Sequence, residues 1–261
     1  MNKLILILAV FSLLADFTKG QDEPFHAGEK VSYIIHYGII NGGTASLELK
    51  NDSVDGQKVL HSVLFGRTTG LADALFKVRD TFESFINPAT DLPVVSVRNV
   101  SEGRYKKYNF VKFDHITRQD SAILTSNLTG VHITQPGIHD ILSCFYYFRK
   151  YYLSAKYPFK KGEVITITTW FTDELYPIQL RYMGTDEVRT RIGRIKCIKF
   201  NPVTEVGRLF RTNEDVTFWF SNDNNYLPVK IRFDIVVGSF TVEVNSYQGL
   251  SDTLNIKLRK E

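Results

Sequence analysis

The chain has 261 residues, of which 43% are hydrophobic and 23% charged, too apolar for a disordered chain and enough for a sizeable core. Lys and Arg number 32 against 28 Asp and Glu, and this small excess is dispersed rather than gathered on one face, which argues against nucleic acid as a partner. Aromatic residues reach 13%, and with many Val, Ile and Thr they favour strands.

Residues 1–20 read as a secretory leader. Met1-Asn2-Lys3 is a short basic start, and Leu4 to Leu14 is an apolar run too short to span a bilayer. Thr18 and Gly20 are small residues ahead of a cleavage before Gln21. No cysteine lies near that cleavage, so a lipid anchor is not expected, and no later window has the length and apolarity of a transmembrane segment. The expected product is a single domain, 21–261, in the periplasm or outside the cell.

From there the chain reads as strands. Lys30–Ile40 is rich in β-branched and aromatic residues, and Asn41-Gly42-Gly43 predicts the positive φ angles of a tight hairpin. Thr44–Lys50 alternates, with Ala45, Leu47 and Leu49 set against Ser46, Glu48 and Lys50. Asp55-Gly56 is a second hairpin signal, leading into Val59–Phe65, and Leu71–Phe76 fits one helical turn. Strands follow at Val78–Ile86, Pro93–Val100 and, after the turn Ser101-Glu102-Gly103, at Tyr105–Phe113. Asp140–Leu153 predicts a helix, since Ile141, Phe145, Phe148 and Tyr152 form an apolar stripe. Beyond it come Val164–Phe171, Ile178–Met183, Ile195–Phe200, Val216–Phe220, Val229–Val237 and Phe240–Tyr247. This pattern predicts a mostly β protein: an antiparallel curled sheet or barrel-like meander of about 12–14 strands.

The chain also repeats itself. Pro24-Phe25 and Gly28-Glu29 recur as Pro158-Phe159 and Gly162-Glu163. Leu92-Pro93-Val94 recurs as Leu227-Pro228-Val229, and Phe85, Asn87 and Gly103 meet Phe220, Asn222 and Gly238 at the same shift. Two tandem repeats, about 24–114 and 158–250, are therefore expected, with the helix at about 140–153 as connector, packed on the concave face. The alternative is that β-proteins reuse Pro and Gly in turns. Cys144 lies on the helix and Cys197 in a strand; as buried thiols they would act as small hydrophobes, and a bridge between them is the alternative.

The opening Phe25-His26-Ala27-Gly28-Glu29-Lys30-Val31-Ser32-Tyr33 and Gly42-Gly43-Thr44-Ala45 resemble the start of the DUF3108 family of bacterial exported proteins. The resemblance continues through Val78-Arg79-Asp80 and is strongest at Asp140-Ile141-Leu142-Ser143 with Tyr146-Tyr147 and Arg149. Gly193, Cys197, Pro202, Gly207-Arg208-Leu209-Phe210 and Leu227-Pro228-Val229 fit as well. It implies an envelope protein with one β-rich domain and carries over no catalytic residues.

The chain has no Gly-rich phosphate loop, no G-x-S-x-G elbow and no H-E-x-x-H. Its six histidines are dispersed, with no metal-binding spacing. No enzymatic activity, cofactor or metal is expected. Arg104, Lys106, Lys107 and Lys112 invite a nucleic-acid reading, but export and a solvated strand face account for them. On the helix, Asp140, Ser143 and Tyr147 share a polar line. That line fits a lip orienting a ligand at the mouth of a β-cavity, or else a helix cap with hydroxyls bonding nearby strands. Trp170 and Trp219 would line that cavity or fill the core. The expected function is binding or carriage of a hydrophobic envelope ligand such as lipid. The alternative is an assembly factor docking a protein partner through a sheet edge or face.

Overall fold

The computed structural model describes residues 23–203, 216–234 and 238–257. The leader, the segment Gly207-Arg208-Leu209-Phe210 and the end of the strand expected to reach Val237 lie outside the described residues.

The first stretch holds β1 (Lys30–Tyr37), β2 (Ile40–Val54), β3 (Gln57–Thr68), α1 (Gly70–Leu75), β4 (Arg79–Ile86), β5 (Pro93–Glu102) and β6 (Tyr105–Asp114). Next come β7 (Ala122–Ser126), β8 (Gly130–Thr134), α2 (Ile141–Phe148) and a π-helical turn (Arg149–Ser154). The chain continues as β9 (Val164–Phe171), β10 (Glu174–Thr190), β11 (Gly193–Pro202), β12 (Val216–Ser221), β13 (Pro228–Asp234), β14 (Ser239–Gln248) and β15 (Ile256–Lys257).

The strands form one antiparallel sheet in the order β8-β7-β6-β5-β4-β3-β2-β1-β14-β13-β12-β11-β10-β9, with β15 paired to β11. The protein is mostly β, and the sheet does not close through a β8–β9 ladder. Between those edges, the residues before α2 lie along β9: His139 forms a parallel bridge with Thr169, and Trp170 N–H donates to the His139 carbonyl at 2.7 Å. Six strands precede β7 and six run from β9 to β14, and Pro93 and Pro228 each open the fifth strand of their set. A register shift lies at the end of the strand before each proline, between Phe85 and Ile86 and between Trp219 and Phe220.

Three expectations are corrected. Asn41-Gly42-Gly43 is not the first hairpin turn but part of β2; the turn is Gly38-Ile39, and Gly38 takes the positive φ of 55°. Gly43 has a different reason to be glycine, because a Cβ there would sit 2.6 Å from the Arg67 carbonyl oxygen. Three strands lie outside the expected segments: β7 and β8, where only five residues alternate in each, and the two-residue β15. The buried face of α2 is also wider than the expected stripe. Leu142, Ser143, Cys144, Tyr146 and Phe148 are buried, while Ile141, Phe145 and Tyr152 are half-buried.

Helix α2 starts at Asp140 because the Asp140 carboxylate accepts the N–H groups of Leu142 and Ser143 at 2.8 and 2.9 Å. Ser143 Oγ in turn accepts the Asp140 N–H at 3.0 Å, which completes a capping box. Phe148 packs edge-on to Phe200 at 5.1 Å and lies 5.5 Å from Phe220. Leu142 joins a cluster with Val31, Tyr33 and Leu47 from the first strands and Ile195 and Val229 from the later ones. Cys144 and Cys197 are buried free thiols, with no bridge between them, and burial pushes the Cys197 thiol up to about 12.

Candidate functional site

A cavity forms where small residues of adjacent strands fall opposite one another. In β2 and β3, Ala45 pairs with Gly66 and Gly43 with Thr68; in β3 and β4, Gly66 pairs with Asp80 and Leu64 with Phe82. Side chains on one face of a sheet are two residues apart, so Gly43 and Ala45, then Leu64, Gly66 and Thr68, share a face. Gly66 leaves that face hollow, because a Cβ built there would meet nothing within 4 Å. The space holds about 440 Å³, walled by Ile35, Ile40, Ala45, Leu64, Phe82 and Phe240. Nearly all of that wall is carbon. Asp80, Arg67, Thr68, His36 and Tyr37 are the residues on it with polar side chains.

The cavity lies at the end of the sheet where the β1–β2 turn, α1 and the β5–β6 turn meet. Thr69 N–H donates to the Gly42 carbonyl at 2.9 Å, and Gly103 N–H donates to the Lys77 carbonyl at 2.8 Å. Helix α1 buries none of its residues, and Ala72 faces the cavity. Around it, Ile39 is 100% exposed, Leu75 79% and Leu71 71%. The Asp80 carboxylate accepts the Ser101 N–H at 2.9 Å. Burial first, and then the adjacent Asp80 carboxylate, push Glu102 above the usual carboxylate range.

The residues singled out in the sequence fall elsewhere. Asp140 and Ser143 are buried in the capping box, and Ser84 Oγ donates to the Asp140 carboxylate from β4. They do not line the large cavity; they form the cap of α2. Tyr147 is half-buried against His139, with ring centroids 4.6 Å apart. Trp170 is buried with Val111, Phe113, Leu124 and Ile138. Asp140 and Trp170 do share a small void of about 30 Å³, with Phe82 and Arg98 also on its wall. Phe82 is thus the partition between this void and the large cavity. Trp219 packs on the cluster that holds Leu142, Val31 and Leu47, and donates Nε1–H to Asp186 at 3.3 Å. Among the described residues, no three His, Cys, Asp or Glu side chains converge on a metal-sized site.

The DUF3108 sequence profile matches residues 32–245, which is most of the chain. The chain belongs to the DUF3108 family. The description of that family is a protein of unknown function. No curated protein matches the chain. Among solved structures, it is similar to a crystal structure of a β-barrel-like protein of the domain of unknown function DUF1849 from Brucella abortus. The two share 9% identity and a TM-score of 0.55 over 86% of this chain and 98% of that one, a likeness of fold alone.

Sequence reading of this DUF3108 chain missed two groups of buried polar residues. His139 lies beside the cap, its Nδ1 3.3 Å from Ser143 Oγ, and burial holds its imidazole down at about 4. Arg149 and Glu29 form a fully buried ion pair at 2.6 Å. The sequence signal for the pair was Arg149, next to Lys150 inside an aromatic helix, with Gly28-Glu29 far upstream.

Proposed function

We propose that this is an exported, non-enzymatic binder or carrier of a hydrophobic ligand of the cell envelope, held in the cavity between β1, β2, β3, β4 and α1. The observation that carries this reading is the apolar cavity of about 440 Å³. Its size falls within the range of small-molecule sites, about 300–1,000 Å³, and its few polar groups suit an acyl chain or similar body rather than a charged metabolite. The leader read at residues 1–20 supports export.

A finer reading concerns how the pocket came about. The sheet is read as a duplication of six strands, with α2 filling the trough between the halves. The matched strand order, the two prolines opening the fifth strands and the contacts of Phe148 and Leu142 support it. Relatives whose Leu92-Pro93-Val94 and Leu227-Pro228-Val229 positions bore no likeness to each other would count against it.

The test is native purification from the periplasm followed by mass spectrometry of extracted lipids. One class of apolar compound should co-purify, and a fluorescent fatty-acid probe should bind the delipidated protein and be displaced by it. Protein that carries no such compound and fails to bind the probe would end this reading. The docking alternative has its own support in β8, an edge strand with Val131 and Ile133 exposed. Its signature would be a co-purifying protein released by the substitution Ile133→Lys.

A further inference from the structure

We infer that the open end of the cavity is a docking surface for an anionic phospholipid bilayer. The inference rests on the cavity reading above for its purpose, and on separate residues for its evidence. The connections at this end include the β1–β2 turn, α1 with the residues after it, and the β5–β6 turn. Their tips are apolar and in water. Ile39 and Ile40 project from the first, Leu71, Leu75 and Phe76 from the second, and Tyr105 from the third, all exposed. A Cβ on Gly103 would lie 2.9 Å from the Phe76 ring, so the second and third tips are in contact. Gly42 and Ala72 would be 3.6 Å apart by their β-carbons, so the first and second tips are too. Exposed large apolar side chains are common singly, whereas a contiguous group ringing a cavity mouth marks an interaction site.

Charge selects the occupant. Asp73, the acidic residue on α1, is already paired to Arg79 at 2.6 Å. Lys77 follows Phe76 in the chain, and Arg104 and Lys106 flank the exposed Tyr105, with Lys107 next along the strand and Glu102 and Asp80 as the neighbouring carboxylates. Lys112, grouped with them in sequence, stands apart and pairs with Asp55 at 3.6 Å. Apolar knobs with Lys and Arg next to them in the chain, and a tyrosine among them, match a membrane surface. The knobs enter the acyl region, the cations meet lipid phosphates, and tyrosine sits at the headgroup level. A protein partner would need shape complementarity, and nothing about these three short tips supplies a groove or a strand edge.

The test is co-sedimentation of the mature protein with vesicles of phosphatidylcholine alone and of phosphatidylcholine with phosphatidylglycerol. Sedimentation is expected with the mixed vesicles, weak with phosphatidylcholine alone, and reversed by salt. Lys106→Gln and Lys107→Gln should each weaken it about fivefold. Leu71→Ser with Leu75→Ser should abolish it while the melting temperature stays unchanged, since both side chains are already in water. Failure to sediment with the mixed vesicles overturns the inference. So does equal binding to both vesicle types, or binding indifferent to the leucine substitutions. A cavity-filled variant, Gly66→Val, separates the two readings: it should lose the fatty-acid probe and keep the vesicles. Wild-type protein that takes the probe but ignores vesicles overturns the docking surface and leaves the cavity reading standing.

Discussion

Arg149 donates from Nη1 to Oε1 of Glu29 at 2.6 Å and from Nη2 to Oε2 at 2.9 Å, with both side chains shut away from water. The same Nη2 donates to the carbonyls of Pro24 and Asn225, at 3.1 and 2.7 Å. Phe25 and Phe145 lie with ring centroids 5.2 and 5.4 Å from the guanidinium carbon. One side chain at the start of the π-helical turn thus ties the N-terminal segment, the helix and the β12–β13 connection together. Removing one partner strands a buried charge. Glu29→Gln and Arg149→Met should each cost about 3–5 kcal/mol in urea unfolding. Glu29→Gln combined with Arg149→Met should cost less than their sum, because no charge is left unpaired. Strictly additive losses would show that the two groups do not act as a unit.

Gly66 gives the most direct handle on the cavity. Its backbone has no positive φ, and a side chain there would enter open space. Gly66→Val should fill part of the cavity and hold or raise stability by about 0.5–1 kcal/mol, since glycine weakens a strand interior. Probe affinity should fall at least tenfold. A destabilised Gly66→Val protein with unchanged probe binding would mean that the ligand sits elsewhere.

The buried polar groups at the head of α2 should shape the pH response. Burial raises Asp140 from the usual 3.8 to about 6, so its stabilising proton is fully held below pH 3.8 and lost as pH rises through 6. Burial, and then the charge of His115, lower His139 from 6.5 to about 4, while Asp91 acts weakly the other way. The contribution of His139 is present above pH 6.5 and lost as pH falls through 4. Between pH 4 and 6 the two oppose each other, and together they leave the profile nearly flat. His139→Gln should unmask Asp140, so that stability falls with rising pH across this window. Asp140→Asn should unmask His139 and reverse the slope. Each limiting slope is about 1.4 kcal/mol per pH unit. Urea midpoints across the window check it, and parallel profiles for the two variants would refute the assignment.

The aromatic residues of α2 should separate by burial. Phe148 is 2% exposed between Phe200 and Phe220, so Phe148→Ala should cost about 3–5 kcal/mol. Phe145 is half-buried, and its truncation should cost less. Tyr147→Phe removes a hydroxyl alone and should cost about 1 kcal/mol or less. It should also leave probe binding intact, because Tyr147 does not line the cavity. Loss of the probe in Tyr147→Phe would return the helix to the binding site.

The strands and the helix start were legible in the sequence because their causes are local. Alternation at Ala45, Leu47 and Leu49 predicts a strand with one buried face, and β2 has that pattern. Asp55-Gly56 predicts a tight turn, and both residues take positive φ, 49° and 80°. Asp140 ahead of an apolar run predicts a cap, and its carboxylate takes two backbone N–H groups. Asn41-Gly42-Gly43 carries the same kind of local signal and misleads, because the approach of the Arg67 carbonyl in the neighbouring strand, not a turn, requires Gly43. The cavity is likewise not written in any one segment. Ala45, Gly66 and Asp80 become neighbours through the registers of β2 on β3 and β3 on β4, and shifting either register by one residue would turn the hollow to the other face. The Arg149–Glu29 pair spans 120 residues of chain, and its two charges tolerate burial only because the assembled sheet supplies carbonyls and rings around them. Residue type and spacing set which segments form strands and where the helix begins. Which side chains meet is decided by register and packing summed over the whole sheet, and the cavity exists at that level alone.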